Sequence, residues 1–142
     1  MSFFDSYLLR DIEKYIESKV LCDIKASIWK ASASILISEA TIQKRVAEIS
    51  KDQIVDSSTF YDKLEKQNDL SNVKIIFDIL ISRKDEFENS ASLLESDNKN
   101  EPAITLYQCK QRAVYYDEVI RQISSRFGIA LPKNYTLKFK SE

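Results

Sequence analysis

The fold of this 142-residue chain is decided by residues 106–128, which run LYQCKQRAVYYDEVIRQISSRFG. Apolar side chains recur there alternately every three and four positions, at Leu106, Cys109, Ala113, Tyr116, Ile120, Ile123 and Phe127. This alternation is the heptad spacing of a helix that packs along one seam against other helices. Gly128, the only glycine of the chain, follows directly, and Pro132 lies just beyond. Glycine in this place is typical of the left-handed residue that ends a helix.

The segment before this helix is predicted to pair with it. Within residues 73–94, apolar side chains again fall at helical spacing, and residues 75–81 are apolar around most of the helix, which predicts deep burial. A polar connection over residues 95–101 then leads to Pro102, and proline suits the first turn of a helix. Residues 72–127 are therefore predicted to form a helical hairpin.

The N-terminal part carries two different repeats. Apolar residues first recur every four positions, at Leu8, Ile12, Ile16, Val20, Ile24 and Ile28, and an isoleucine then recurs every seven, at Ile28, Ile35, Ile42 and Ile49. The two periods drift around a helix at different rates, so one straight helix cannot present both stripes to a single partner. We therefore favour two helices over residues 5–50, with a break or kink between 22 and 38, over one unbroken helix. A short helix is expected near residues 57–64.

The end of the chain changes its pattern, because Tyr135, Leu137 and Phe139 alternate with polar residues as they do in a strand. No second segment of this kind is visible in the sequence, so we expect a frayed or locally packed terminus. The alternative is that it adds to the edge of a partner's sheet. The sequence thus predicts an all-α fold, a single bundle of four to five helices over residues 1–132 with an extended or flexible tail over residues 133–142.

The composition removes the usual routes to catalysis. The chain has no histidine, which is the commonest proton shuttle and metal ligand, and one glycine, the residue from which phosphate-binding loops are built. Its two cysteines, Cys22 and Cys109, are not in a Cys-x-x-Cys motif. We therefore expect no catalytic residues, no metal site, no cofactor and no enzymatic activity. No signal peptide and no uncharged stretch of membrane-spanning length is visible, so the expected location is cytoplasmic, away from membranes.

Charge is distributed unevenly along the chain. Residues 51–102 carry seven basic and twelve acidic side chains, whereas residues 103–142 carry seven basic and three acidic ones. Internal pairing together with solvation is the favoured interpretation, because charged runs on helices usually face water. The acidic part also suits a basic partner, and its candidate contact residues are Asp85, Glu86 and Glu88. Exposed tyrosines often anchor interfaces, and the candidates here are Tyr107, Tyr115 and Tyr135.

The leading hypothesis from these patterns is a non-catalytic protein-interaction module, which would be an adaptor, a chaperone or a small inhibitor of the immunity-protein type. One alternative is nucleic-acid binding through residues 103–142, where basic side chains are interleaved with aromatic ones, namely Lys110, Arg112, Arg121, Arg126, Lys133, Lys138 and Lys140 with Tyr135 and Phe139. Another is a homo-oligomeric structural component, in which the seam from Leu106 to Phe127 pairs between chains.

Overall fold

The computed structural model of the protein describes residues 3–33, 38–53, 57–66, 70–96 and 103–139. These ranges contain five helices, which are α1 (Phe3–Ala33), α2 (Glu39–Gln53), α3 (Ser58–Glu65), α4 (Leu70–Ser96) and α5 (Ala103–Phe127). All regular secondary structure within the described ranges is helical, which confirms the predicted all-α bundle. None of the helices in those ranges combines the length and the apolar character needed to cross a membrane.

The α4–α5 hairpin is the most extensive helix pair of the bundle, as the sequence predicts. The middle of the α5 seam is buried, and it comprises Cys109, Ala113, Tyr116, Ile120 and Ile123. The core side of α4 faces it with Val73, Ile76, Phe77, Leu80 and Ala91. The predicted deep burial of residues 75–81 is confirmed for Ile76, Phe77 and Leu80, which are completely buried, and is wrong for Ile75, which is 41% exposed. The reason is that α4 packs chiefly on α5, so only one side of this apolar stretch is covered.

The N-terminal region forms two helices, as favoured, because α1 ends at Ala33 and α2 begins at Glu39. Of the four-residue repeat, Leu8, Ile12, Ile16 and Val20 are buried and Ile24 is half-buried. This stripe packs in the common core with the apolar sides of α3, α4 and α5. The one extensive contact of α2 with another helix is its contact with α1. The side chains of the seven-residue isoleucine repeat lie outside the described residues, as does the predicted polar connection beyond residue 96.

Ion pairs along the polar edges of α1 hold it to three other helices. In chain order, Asp11 pairs with Lys63 of α3, Glu13 with Arg83 of α4, and Glu17 with Arg112 of α5. Lys19 then pairs with Glu118 of α5, and Asp23 accepts hydrogen bonds from Gln111 and Tyr115. Because these groups are partly exposed, each pair adds little stability by itself, but together they fix the rotation of α1 against the bundle.

Two left-handed residues set the course of the chain after α5. Gly128 has φ +65°, which confirms its predicted place as the residue that ends the helix. Ser124 closes this turn, since its hydroxyl donates to the carbonyl of Ile129 at 2.6 Å and its carbonyl accepts from the Ile129 amide at 3.2 Å. Asn134 also has φ 65°, and the Tyr135 amide donates to the carbonyl of Pro132 at 3.0 Å. Residues 129–139, here called the arm, return to α4 and pack there, which is the locally packed alternative predicted for the terminus.

Substitutions at the buried residue Phe77 and at the nearby exposed residue Ile75 test this packing of α4. The side chain of Phe77 is completely buried, so Phe77→Ala is expected to lower the free energy of unfolding by about 3–5 kcal/mol. Ile75→Ala changes a residue that is 41% exposed and is expected to cost less than about 1 kcal/mol. Urea denaturation followed by circular dichroism measures both values. Equal losses for the two variants would contradict the assigned orientation of α4.

Candidate functional site

A buried ion pair on α4 is the most unusual chemical feature of the bundle. Lys84 and Glu88 lie one helical turn apart and are each 1% exposed, and the Lys84 ammonium donates to Glu88 Oε1 at 2.7 Å. Charged side chains are almost never buried this completely unless they are paired, and removing two charges from water costs several kcal/mol for each. The remaining donors and acceptors of the pair must therefore find partners inside the protein.

The arm supplies those partners from its main chain. Lys84 Nζ donates to the carbonyl oxygen of Thr136 at 2.6 Å, and the backbone N–H of Lys138 donates to Glu88 Oε2 at 2.6 Å. In an extended segment the carbonyl of one residue and the amide two positions later point to the same edge, so one helical turn of α4 reaches both. We call Lys84 and Glu88 the clamp, because together they grip the backbone of the arm.

Tyr135 secures the arm next to the clamp. Its ring lies between two cations, with Lys84 Nζ at 4.4 Å and the Arg121 guanidinium carbon at 5.2 Å from the ring centroid. Its hydroxyl donates to Asp117 Oδ1 at 2.7 Å, and Arg121 Nε donates to both oxygens of the same carboxylate at 3.0 and 3.1 Å. Burial, and then the hydrogen bond to Asp117, raise the pKa of Tyr135. The phenol therefore stays protonated and remains a donor to Asp117 at neutral pH.

The structure separates the three acidic residues that were predicted to meet a partner. Asp85 and Glu86 are exposed, with the Asp85 side chain 60% exposed. Glu88 is buried, so the expectation that it lies on a solvated face is wrong. Its burial follows from its place one turn beyond Lys84, on the side of α4 that the arm covers. Nothing in the local sequence distinguishes this pair from an ordinary surface pair.

The three candidate tyrosines are half-buried, so the expectation of exposed rings is wrong. Tyr115 donates its hydroxyl to Asp23, and Lys19 Nζ lies 4.4 Å from its ring centroid. Burial raises the pKa of Tyr115, and the hydrogen bond to Asp23 raises it further. Tyr135 belongs to the arm contact described above, and Tyr107 lies in the first part of α5. Binding of a partner by these residues stays a prediction.

Internal pairing, the interpretation favoured from the sequence, is extensive on α5, and two of its pairs join the basic residues 103–142 to the acidic residues 51–102. Four basic side chains of α5 each contact a carboxylate, in the pairs Lys110–Glu95, Arg112–Glu17, Arg121–Asp117 and Arg126–Glu65. These contacts reduce the positive potential that a nucleic-acid backbone would meet on this helix. Nucleic-acid binding stays a prediction that no contact in the described part of the chain favours.

The α5 seam is filled within one chain, which bears on the homo-oligomer hypothesis. Its central residues Ala113, Ile120 and Ile123 are completely buried against the other helices of the bundle. This seam is therefore not free to pair between chains, because exposing it would require opening the hydrophobic core. Association of two chains through another surface stays a prediction.

An exposed stripe along α4 was missed from the sequence. It comprises Ile75, Asp78, Ser82, Glu86, Asn89 and Leu93, which recur every three or four residues and are all exposed. We call this stripe the outer face of α4. Its two ends are apolar, since Ile75 is 41% and Leu93 is 70% exposed. Open grooves of about 420 and 300 Å³ flank it, one beside the arm and one beside Phe87.

The charge of α4 outside the core is mainly negative. Its exposed positions carry four acids, Asp78, Asp85, Glu86 and Glu95, and one base, Lys74. Lys74 is already paired with Asp78 at 2.7 Å, and Glu95 with Lys110 at 2.5 Å. Of the two candidate acids Asp85 and Glu86, Asp85 also forms an ion pair with Lys84, so Glu86 is the exposed carboxylate of α4 without an ion pair among the described residues. Asp85 Oδ1 is 3.9 Å from the ammonium of Lys84.

Aromatic packing between α1 and α3 shapes a third open groove, of about 500 Å³, against α5. The Tyr15 and Phe60 ring centroids lie 5.3 Å apart, and those of Phe60 and Tyr61 lie 4.4 Å apart. The Arg126 guanidinium carbon sits 4.3 Å from the Tyr61 ring centroid. Burial raises the pKa of Tyr61 to about 12, and the nearby Tyr15 adds to this effect.

Comparison with known proteins gives no relative: no protein-family model, no curated protein and no solved structure matches this chain. Within the described ranges, no group of three or more cysteine and carboxylate side chains is arranged to hold a metal ion.

The clamp can be compared with a matched exposed pair on the same helix. Breaking it by Lys84→Met or by Glu88→Gln leaves a buried group without its partner, and the free energy of unfolding is expected to fall by about 3–5 kcal/mol. Lys74–Asp78 has the same spacing and the same 2.7 Å separation but is exposed, so Lys74→Met is expected to cost less than about 1 kcal/mol. Replacing Lys84 and Glu88 together by methionine is expected to recover part of the loss. Urea denaturation of the four variants measures these values. If Lys84→Met and Glu88→Gln lower the free energy of unfolding no more than Lys74→Met does, the assigned burial of the clamp is contradicted.

The raised pKa of Tyr61 makes the free energy of unfolding depend on pH. A tyrosine in the unfolded chain titrates with a pKa near 10, whereas that of folded Tyr61 is about 12. Between these values the unfolded state loses the proton first, so the contribution of Tyr61 is complete below pH 10 and is lost as the pH rises towards 12. In Tyr61→Phe the free energy of unfolding is expected to fall less steeply between pH 9 and pH 11 than in the wild type. Identical slopes in urea denaturation would contradict this pKa.

Proposed function

We propose that this protein is a non-catalytic protein-interaction module, an adaptor, chaperone or small inhibitor, that binds a basic protein partner on the outer face of α4. The observation that supports the proposal is the pattern of this face, where exposed Ile75 and Leu93 flank a central acidic part containing Glu86. Apolar contact supplies affinity in protein interfaces, while complementary charge steers the encounter and sets the register.

The dimensions of the face suit a helical partner. Ile75 and Leu93 are 18 positions apart on one continuous helix, which corresponds to about 27 Å of α-helix. The exposed residues between them recur every three or four positions, as the contact residues of a helix do when it lies beside another helix. A partner helix with apolar residues at both ends and lysine or arginine near its middle would match this arrangement.

The rest of the bundle keeps α4 in place before any partner arrives. Its opposite side is packed on α5, its Arg83 is paired with Glu13 of α1, and its Lys84 and Glu88 hold the arm. A surface that is rigid before binding loses little conformational entropy on association. This support favours a role in presenting a fixed surface.

The binding face can be located by site-specific photo-crosslinking in the cells that make the protein. A photoreactive residue at Ser82, in the middle of the outer face, is expected to capture a defined basic protein. The matched control carries the same residue at Gln43, an exposed position of α2. Capture of the same proteins at both positions, or of no basic protein at Ser82, would contradict the proposal.

Once the partner has been captured and identified, the contribution of charge to its association with the protein can be measured. The Asp85→Asn/Glu86→Gln variant is expected to lower its association rate constant by about 3- to 10-fold at low salt, because the steering charge is lost. The difference is expected to shrink as salt is added. The control variant Asp62→Asn/Glu65→Gln removes the same charges from α3 and is expected to associate at the wild-type rate. Stopped-flow fluorescence measures the rates, and equal effects of the two variants would argue against this face.

A further inference from the structure

We propose that the clamp, together with Asp117 and Arg121, forms a binding site for an extended peptide segment that carries a tyrosine, and that the arm occupies this site in the free protein as an internal ligand. A segment of a partner protein with the same chemistry then competes with the arm. This site lies under the arm, so the inference goes beyond the proposed function and does not depend on it.

The first argument is that the clamp recognises main-chain atoms. Lys84 donates to a backbone carbonyl and Glu88 accepts from a backbone amide two residues later, each at 2.6 Å. These two contacts are the pair that a neighbouring strand would make with an extended segment. They use the peptide groups on the two sides of Leu137, just before the chain bends at Lys138 and Phe139, and they require no particular side chain at positions 136 and 138, both of which are exposed. Any segment that can lie extended over α4 can satisfy them.

The second argument is that the site selects aromatic side chains around this backbone contact. Tyr135 is held by two cations and by the Asp117 carboxylate, as described above. Four residues later, Phe139 lies with its ring centroid 5.2 Å from the ammonium of Lys110. Cations over aromatic faces are attracted to the ring electrons, and the hydroxyl of tyrosine adds a directed hydrogen bond. The expected ligand is therefore a peptide with the pattern Tyr-x-x-x-Phe or Tyr-x-x-x-Tyr that is extended after its tyrosine and bends at its second aromatic residue, as the arm does at Lys138 and Phe139.

The third argument is that the end of the arm can leave without dismantling the bundle. The part near α5 is anchored by Ile129, which is buried, whereas Thr136 and Lys138 are exposed and Leu137 and Phe139 are half-buried. The 2.7 Å contact between Lys84 and Glu88 does not involve the arm, so neither charge loses its ionic partner if the arm lifts. The positive φ of Asn134 places a turn at the boundary between the anchored and the displaceable part.

The fourth argument is that the site has an open approach. A groove of about 420 Å³ runs beside the arm, between α4 and residues 132–138. It is lined on the helix side by Asp85 and Asn89, and Lys138 Nζ donates to the Asn89 side chain at 3.4 Å. An incoming segment can therefore contact α4 beside the arm before the arm is displaced, and a basic side chain in it would meet Asp85.

The experiment uses the full chain and a fluorescent synthetic peptide with the sequence of residues 133–142. The Tyr135→Ala variant removes the main side-chain anchor of the arm, so the internal ligand competes less strongly for the site. The internal arm competes at an effective concentration of the order of millimolar. We therefore expect the peptide to bind this variant at least about tenfold more tightly than the wild type in fluorescence anisotropy. Tyr7→Ala, which alters an exposed tyrosine far from the arm in the sequence, is the matched control and is expected to behave like the wild type.

Two altered peptides separate specific recognition from general stickiness. Methylation of the backbone nitrogen of the residue equivalent to Lys138 removes the proton that Glu88 accepts, and replacing the tyrosine by alanine removes the contact to Asp117. Each change is expected to weaken binding to the Tyr135→Ala chain at least about tenfold. The proposal is overturned if the peptide fails to bind this chain, or if the altered peptides bind as tightly as the original.

Hydrogen exchange on the intact protein supplies a second, independent measurement. The Lys138 amide is expected to be protected in the wild type and to exchange rapidly in Tyr135→Ala, whereas rapid exchange in the wild type would overturn the proposal. If Tyr135→Ala does not fold, Lys138→Pro releases the arm by removing the N–H itself. Light scattering tests whether the arm that occupies the site belongs to a second copy of the chain. If the wild type is a dimer and Tyr135→Ala or Lys138→Pro converts it to a monomer, the site binds the arm of that second copy. This result would overturn the proposal that a partner peptide binds there.

Discussion

An ammonium group enclosed in a protein needs hydrogen-bond acceptors close to it, and the Lys84 ammonium is the group on which the C-terminal course of this chain depends. It is completely covered, and its acceptors are Glu88, one turn along the same helix, and the carbonyl of Thr136. The second oxygen of Glu88 then needs a donor, and the amide of Lys138 provides it. The arm is thus held in place by the requirement that two buried charges be hydrogen-bonded.

The other charges of the bundle serve mainly to orient its helices. Successive carboxylates of α1 reach α3, α4 and α5 in turn, so the helix is fixed in rotation by groups that contribute little stability individually. The basic excess of residues 103–142 is largely matched in the same way, by acids on α1, α3, α4 and α5 itself. Among the described residues, the exposed Glu86 on α4 and the backbone-binding clamp are the two features for which we propose binding.

The helices were predictable because their burial is periodic, whereas the clamp was not. The spacing of apolar residues in α5 and the position of Gly128 define the hairpin without any knowledge of distant contacts. Lys84–Glu88 and Lys74–Asp78 have the same local pattern, and only the first pair is buried. The cover comes from residues about 50 positions away, so no local signal marks it. Tyr115 was misjudged for the same reason, since its partner Asp23 lies on another helix.

Recognition of the arm through its backbone also affects how freely its sequence can change during evolution. The side chains at positions 136 and 138 are exposed, and that of Lys138 makes only a long contact of 3.4 Å to Asn89, while their peptide groups make the contacts to the clamp, so most residues except proline are interchangeable at position 138. Asn134, with its positive φ, and Tyr135, with its bond to Asp117, are constrained by conformation and chemistry. Homologues of this protein should therefore drift at the first two positions and keep the other two.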